Sequence, residues 1–550
     1  MDTRLVVAAA YFMLLFVILR FARTRVPGDS QQYFLAGRSL RFPVLLMTMA
    51  ATNFSAFTVF GASGAGYRDG LAFLPVMAFG TGFMALTFLI IGRRAWRLGA
   101  EGSLVTPSDL INQVYRSKSV AALSAIVLLV FTVPYLALQP VAAGNVIGHL
   151  FGVPEWVGAT VVTATIVLYT VRGGMRAVAW TDVLQGLLAL VVMLVALGVV
   201  VHSYGGWERS LSAVAAQEPA LFSRPGLQGS YTPAIWFSYL ALWFYCDPMF
   251  PQLFQRFYAA DSARTLGRVA FWYPAICALV FAPPVIIGVL GHLSFPGLSG
   301  KEADGILAMV ATGVAGDLAG TLVLVAGLAA LMSTMDSQLL TLSSIISRDL
   351  WPLLARGHQP SVASSRMFVA LLAGAGLLVA VTTNATILDL GITAFTGFAV
   401  LFPTVLFGLY VTRPRPAAAM ASIVSGEAVV VASYFGLLPS TGFLSAVPAM
   451  LCATLVYLVV QLATDSRTRL TVSRGAWPYL SGFALLFILA HDFWNWGDAT
   501  PVIVGLPRWL WYFLGLAAAQ MLLTALLLRN EDRNSTATEG RVPNGGVRSH

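Results

Sequence analysis

Apolar stretches of about twenty residues recur along nearly the whole chain, separated by short polar segments. Runs of this length are long enough to cross the ~30 Å hydrocarbon core of a bilayer as helices. Fifteen are read, centred near residues 13, 53, 83, 133, 163, 191, 245, 280, 332, 372, 399, 426, 453, 484 and 519. The first, Leu5 to Phe21, is followed rather than preceded by its charges (Arg20, Arg23, Arg25) and shows no small-residue cleavage site. It reads as a membrane anchor with the N-terminus outside, not as a signal peptide.

The arginines set an orientation. Every second loop is rich in them: Arg20/Arg23/Arg25/Arg38, Arg93/Arg94/Arg97/Arg116 with Lys118, Arg172/Arg176, Arg256/Arg264/Arg268, Arg348/Arg356/Arg366, Arg413/Arg415, Arg467/Arg469/Arg474 and Arg529/Arg533. The intervening loops hold only Arg68, Arg209, Arg224, Lys301 and Arg508. By the positive-inside rule the rich loops are cytoplasmic and the C-terminus is inside.

Composition agrees. Of 550 residues 58% are hydrophobic and 10% charged, against about 25% charged in an ordinary soluble domain. This excludes a soluble enzyme, a nucleic-acid binder and a disordered chain. The net charge of +9 belongs to loop arginines, not to a nucleic-acid surface. Cys246, Cys277 and Cys452 lie far apart inside apolar runs, forming neither a disulfide framework nor a metal knuckle. Catalytic signatures are missing too. No lysine follows a glycine-rich turn before Ser or Thr, as a P-loop requires. No two histidines stand at i, i+4 for zinc, and no Gly-x-Ser-x-Gly elbow is present. Catalysis and ATP hydrolysis are not expected, and no ATPase subunit is required.

What remains is polar residues inside apolar runs, which are functional candidates by default. In the ninth span Ala330, Ser333, Thr334, Ser337, Thr341 and Ser344 follow i, i+3, i+4, i+7 spacing and share one helix face. Such a stripe serves close helix packing or an ion path. The adjacent Ser333 and Thr334 hydroxyls are hard oxygen donors suited to Na⁺. The second span crowds Ala51, Thr52, Asn53, Ser55 and Ala56 at its middle, with glycines beyond. A discontinuous helix there would free backbone carbonyls for a cation. Between spans five and six, Gly173-Gly174 predicts a tight turn, with Asp182 and Gln185 entering the next helix. Asp182 either attracts a leaving cation or pairs with a nearby arginine. In the seventh span Asp247-Pro248 and Pro251 predict a break flanked by Trp243, Phe244, Tyr245 and Phe250, which suits a substrate pocket or an aromatic packing face. Asp336, Asp389 and Glu427 also lie in apolar runs, without an assigned role.

The stretches YFLAGRSL, AATNFSAF, VRGGMRAVAWTDVLQG and AALMSTMDSQLLTLSSIISRDL together resemble the sodium:solute symporter family over roughly residues 1–465. The resemblance implies an all-α polytopic membrane protein. An extra N-terminal helix precedes two inverted five-helix repeats, spans 2–6 and 7–11, and further helices follow. It implies Na⁺ ligands in the carbonyls of Ala51, Phe54 and Ala330 and the hydroxyls of Ser333 and Thr334, with Asp182 on the inward ion-exit route. Asn53 stands where proline carriers have Asp and other members Asn. Candidate solute contacts are Ser55, Ala56 and Phe57, then Tyr135 and Gln139, then Trp243, Tyr245 and Asp247, then Thr393, Phe395 and Thr396. TGFAVLFPTVLFGLY looks more like the pantothenate and monocarboxylate branch than the sugar branch. The last two spans, with HDFWNWG and GLPRWLWYFLG, are similar to small two-helix proteins that accompany some organic-acid symporters.

The expected organisation is residues 1–35 as the extra helix and loop, 36–412 as transport core, 413–470 as added helices, 471–530 as a two-helix extension and 531–550 as a disordered tail. The expected function is inner-membrane import of a small organic solute, a monocarboxylate or pantothenate-like acid, coupled to Na⁺ by alternating access. The alternatives are another solute (proline or another amino acid, a sugar), proton coupling through Asp182, Asp247 or Asp336, a transport-derived sensor, or a channel.

Overall fold

The computed structural model describes residues 3–21, 30–355, 362–383, 386–500 and 502–539. Arg23, Arg25, Arg356 and His358, and residues 540–550 of the expected tail, lie outside the described residues. The chain is almost entirely helical, and a two-residue-per-strand hairpin, Val502–Ile503 with Leu506–Pro507, is the one named sheet among the described residues. We label the helices α1 (Thr3–Phe21), α2 (Phe42–Asn53), α3 (Ala62–Asp69), α4 (Phe73–Phe83), α5 (Arg93–Gly102), α6 (Lys118–Phe151) and α7 (Glu155–Ser203). Beyond these lie α8 (Pro233–Cys246), α9 (Pro251–Ala259), α10 (Ala263–Leu290), α11 (Asp317–Ile345), α12 (Val362–Thr382) and α13 (Ile387–Tyr410). The last four are α14 (Pro416–Tyr434), α15 (Ala446–Thr464), α16 (Trp477–Leu489) and α17 (Arg508–Glu539).

Each of the fifteen expected centres falls in a helix. Among the described residues ten helices are long and apolar enough to cross a membrane by length and composition. The centres near 13, 53 and 163 fall on shorter apolar helices. Those near 245 and 484 fall on α8 and α16, of 14 and 13 residues. At 1.5 Å per residue such pieces need a partner segment to traverse the bilayer, and α8 has one in α9.

The helices of the core break where the sequence weakens them. α2 stops at Asn53, Phe54 leaves helical geometry (φ −86°, ψ 87°), and helical structure resumes as a π-type turn at Phe57–Gly61 before α3. α8 passes through a tight turn at Asp247–Met249, Phe250 becomes extended, and Pro251 opens α9. The two breaks open the first helix of each expected five-helix set, the correspondence an inverted repeat requires. α7 carries spans five and six in one helical run interrupted at Gly174 alone (φ 62°, ψ −172°). A Cβ there would sit 2.7 Å from the Tyr33 carbonyl, so both the left-handed backbone and the close approach require glycine.

Packing around the centre is tight. α11 lies along α7 and also touches α2 and α6, and α3 lies against α10. A Cβ at Gly288 would fall 2.1 Å from the Ser63 carbonyl and one at Gly66 2.5 Å from the Val285 carbonyl, so small residues let α3 and α10 meet backbone to backbone. The outward faces keep apolar side chains exposed, such as Leu371, Leu378, Leu455 and Val459, as lipid contact allows and water does not. The extension packs through α17 on α10 and α4, where Gln520 Nε2 donates to the Gly82 carbonyl (2.8 Å). α17 runs on to Glu539, so residues 531–539 of the expected tail are helical: they continue a helix already nucleated upstream, although Asp532, Asn534, Ser535, Thr536 and Thr538 favour it only weakly.

Candidate functional site: a cation and solute centre at two helix breaks

A helix that ends at Asn53 leaves its last carbonyls without intrahelical donors. Here each finds one. Ala50 O keeps the last helical bond, from the Phe54 N–H (2.9 Å), and beyond it Asn53 O accepts from Thr58 Oγ1 (3.3 Å). Ala51 O accepts from Ser333 Oγ (2.9 Å) and Thr52 O from Thr334 Oγ1 (3.2 Å). The same hydroxyls also donate to Ala330 O, at 2.8 and 3.4 Å. Four of the five expected Na⁺ ligand residues, Ala51, Ala330, Ser333 and Thr334, thus converge between α2 and α11. Phe54 sits at the break, and Thr52 O joins the group unforeseen. Carbonyl and hydroxyl oxygens at these separations form the kind of hard, neutral donor set a small cation takes once the hydroxyl protons turn outward.

The rest of the stripe stays on this face. Ser337 Oγ accepts from Arg256 Nη2 (2.7 Å), Thr341 Oγ1 donates to Gln255 Oε1 (2.7 Å), and Ser344 Oγ accepts from Gln255 Nε2 (3.2 Å). Arg256 is therefore no loop residue; it is fully buried on α9. Its Nη2 also donates to Asp182 Oδ2 (2.6 Å), its Nε to Thr48 Oγ1 (2.9 Å) and its Nη1 to Gln252 O (2.9 Å). Asp182, fully buried on α7, pairs with this arginine rather than with Arg172 or Arg176 nearer in sequence. Asp336 on α11 accepts from Tyr169 OH (3.1 Å) and from Ser337 Oγ (3.3 Å). These bonds tie α2, α7, α9 and α11 together below the hydroxyls.

Beside the α2 break lies a small cavity of about 10 Å³, room for about one water. Its polar lining is Asn53, Ser55, Thr58, Thr81, Tyr135 and Asp247, and its rings include Phe57, Trp243, Phe250 and Phe395. All are less than a tenth exposed. Phe395 meets Phe57, Tyr135, Trp243 and Phe250 at centroid distances of 4.9–5.5 Å. Gln139 reaches the break by accepting from the Ala56 N–H (3.1 Å). Of the expected contacts, Ser55, Phe57, Tyr135, Trp243, Asp247 and Phe395 line this cavity. Tyr245 does not: two residues beyond Trp243, it turns to the opposite side of α8 and meets Phe402 at 4.6 Å. Thr393 is exposed and donates to Asp389 O, and Thr396 donates to Ile392 O, so both satisfy their own helix. Thr58, Met77, Thr81 and Phe281 were not foreseen.

Arg68, at the end of α3, is buried and bridges Asp304 (2.9 Å), whose second oxygen accepts from the Ile387 N–H (3.2 Å). Burial raises the Asp304 carboxyl above its ordinary range while Arg68 opposes the rise. Thr386 caps α13, its Oγ1 accepting from the Asp389 N–H (3.1 Å), and on α14 both Glu427 oxygens lack a hydrogen-bond partner among the described residues.

Two broken helices, backbone carbonyls facing hydroxyls, and a small cavity lined by polar groups and rings alongside define a cation-coupled secondary transporter of the five-plus-five inverted-repeat class. A model of the sodium:solute symporter family matches residues 33–426, and the chain belongs to that family. It is 28% identical over 458 residues to the sodium/pantothenate symporter of Escherichia coli (strain K12), covering 82% of this chain and 94% of that one. To the sodium/proline symporter of Staphylococcus aureus (strain bovine RF122 / ET3-1) it is 26% identical over 481 residues, 84% and 92% of the two chains. The solved structure of a Na⁺-coupled sialic acid symporter, in a substrate-bound outward-open state, shares its fold with a TM-score of 0.69 at 15% identity, covering 85% of this chain and 99% of that one. The protein is a multi-pass membrane transporter, not an enzyme, and Na⁺ and a small organic solute are its partners.

Proposed function

We propose that this symporter imports a small carboxylate bearing hydroxyl or amide groups, of monocarboxylate or pantothenate type, together with Na⁺ across the cytoplasmic membrane. Na⁺ binds the carbonyls of Ala51, Phe54 and Ala330 and the hydroxyls of Ser333 and Thr334. The solute takes the place of the one-water cavity between the two breaks, when the helices that line it move apart in the transport cycle. Its acid group meets neutral donors (Ser55, Thr58, the Trp243 indole), and its hydroxyls or amide meet Asp247 and Asn53. The observation that carries the reading is the shared wall: Asn53 and Ser55 line the solute cavity immediately after the carbonyls that face Ser333 and Thr334. A cation that fixes the end of α2 therefore shapes the solute cavity, and by reciprocity the solute tightens the cation. Fifteen crossings with the N-terminus outside fit the arginine distribution, and Asp182 lies on the inward path that opens when its bond to Arg256 parts.

A second reading, an amino acid such as proline, is favoured by one observation: Asp247 Oδ2 has no partner among the described residues and would accept an ammonium group. Uptake of labelled pantothenate, lactate, pyruvate, acetate, proline and glucose into proteoliposomes separates these. Sodium-driven uptake of an acid without an amine supports the first reading, and uptake of proline alone replaces it with the second.

A further inference from the structure

Helix α16 leans on α17 and meets the transport core through Phe483 and Phe487, which pack on Phe83 and Phe237, while a gap separates it from α13. Two cavities of about 500 and 480 Å³ fill that gap and share Leu86, Ile90, Leu406, Phe407, Leu480 and Phe483, so they form one cleft. One half is lined by rings and aliphatic groups from α4, α8, α13 and α16, among them Phe244, Phe402 and Phe487. The cleft is open along one side, and water finds few partners on such walls. At membrane depth the material that fits is an aliphatic chain.

The other half changes character. It carries Arg93, Arg94 and Arg97 on α5, with Thr471, Ser473 and Tyr479 opposite. Arg93 is engaged by Glu531. Arg94 stacks on the Tyr410 ring, 3.6 Å from its centroid, and donates to Leu409 O and to Thr471. Arg97 is exposed and has no side-chain partner among the described residues. Three guanidinium groups against one carboxylate leave a positive end on an apolar cleft, at the depth where helices emerge from the membrane. Basic pockets between membrane helices at that level complement anionic lipid head groups, and guanidinium forks suit phosphate oxygens.

We infer that this cleft binds one anionic phospholipid, its phosphate on Arg94 and Arg97 and an acyl chain between α16 and α13. The lipid fills the seam between the two-helix extension and the core. The inference goes beyond the transport reading and is independent of which solute is carried.

Native mass spectrometry of the delipidated full-length protein, titrated with phosphatidylglycerol or phosphatidylcholine, tests it. One phosphatidylglycerol should bind at least tenfold more tightly than phosphatidylcholine. Arg97→Gln, an exposed change that leaves the fold intact, should weaken it about fivefold, as expected for one arginine near a phosphate. Arg94→Gln/Arg97→Gln should remove the preference for the anionic lipid. Ala484→Trp, which fills the apolar half from an exposed position on α16, should reduce binding of both lipids. Equal binding of the two lipids with no effect of Arg97→Gln would overturn the inference, as would the absence of any retained lipid.

Discussion

Consider Arg256→Met. The guanidinium it removes is fully buried and holds Asp182 at 2.6 Å, Ser337 at 2.7 Å, Thr48 at 2.9 Å and the Gln252 carbonyl at 2.9 Å. Its loss strands a carboxylate whose other oxygen, Oδ1, already lacks a partner among the described residues. Breaking one side of a buried pair costs about 3–5 kcal/mol, because the remaining charge stays desolvated. For a chain of 550 residues that corresponds to a fall in melting temperature of roughly 3–4 °C. Asp182→Asn should fall by a comparable amount, leaving an uncompensated guanidinium. The Asp182→Asn/Arg256→Met double variant should melt above both single variants, since neither charge of the pair is left stranded. Fluorescence-detected unfolding of the purified protein in one detergent, all four forms in parallel, reads this order. A double variant that melts at or below the sum of the two single losses would refute the view that the pair is a mutually dependent buried ion pair.

Three further outcomes follow. Adding Na⁺ in place of K⁺ should raise the melting temperature of the wild-type protein, by linkage worth about 2.7 kcal/mol at a hundred times the dissociation constant, and Thr334→Ala should shift the Na⁺ dependence of that rise to at least tenfold higher concentration. Gly288→Ala should cost about 1–3 kcal/mol or more, seen as lost monodisperse yield on size exclusion, because its Cβ lands 2.1 Å from the Ser63 backbone carbonyl and α3 and α10 must part. Arg224→Met should loosen the extension, read as faster proteolysis around residues 492–507. Arg224 pairs with fully buried Asp492 (2.6 Å) inside a ring of Trp236, Trp496 and Trp509 at 4.8–4.9 Å, and protease accessibility unchanged from wild type would contradict that role.

The parts legible in the sequence were those with a period or a breaker. The hydroxyl stripe repeats at helical spacing, so one face of α11 could be drawn before any contact was known. Pro248 and Pro251 announce the α8–α9 break, and the crowd of small polar residues around Asn53 announces the other. Arg256 was not legible: beside Arg264 and Arg268 it reads as one more cytoplasmic arginine, and only the fold brings it to Asp182, 74 positions away. Arg68 and Arg224 misled in the same way, reading as sparse outer-loop charges while each is buried against an aspartate from a distant segment. Tyr245 and Thr393 failed for a local reason. Proximity to a break or to Phe395 does not fix which side of a helix a residue occupies. Met77, Thr81 and Phe281 come from α4 and α10, which carry no break or polar stripe to mark them.

The central claim is that Na⁺ held between α2 and α11 drives solute uptake. The direct measurement is uptake of the labelled solute panel into proteoliposomes with and without an inward Na⁺ gradient, comparing wild type with Ser333→Ala/Thr334→Ala. One solute should accumulate only with the gradient, and the double variant should abolish the accumulation. Uptake that follows a proton gradient instead, and survives the double substitution, would contradict it.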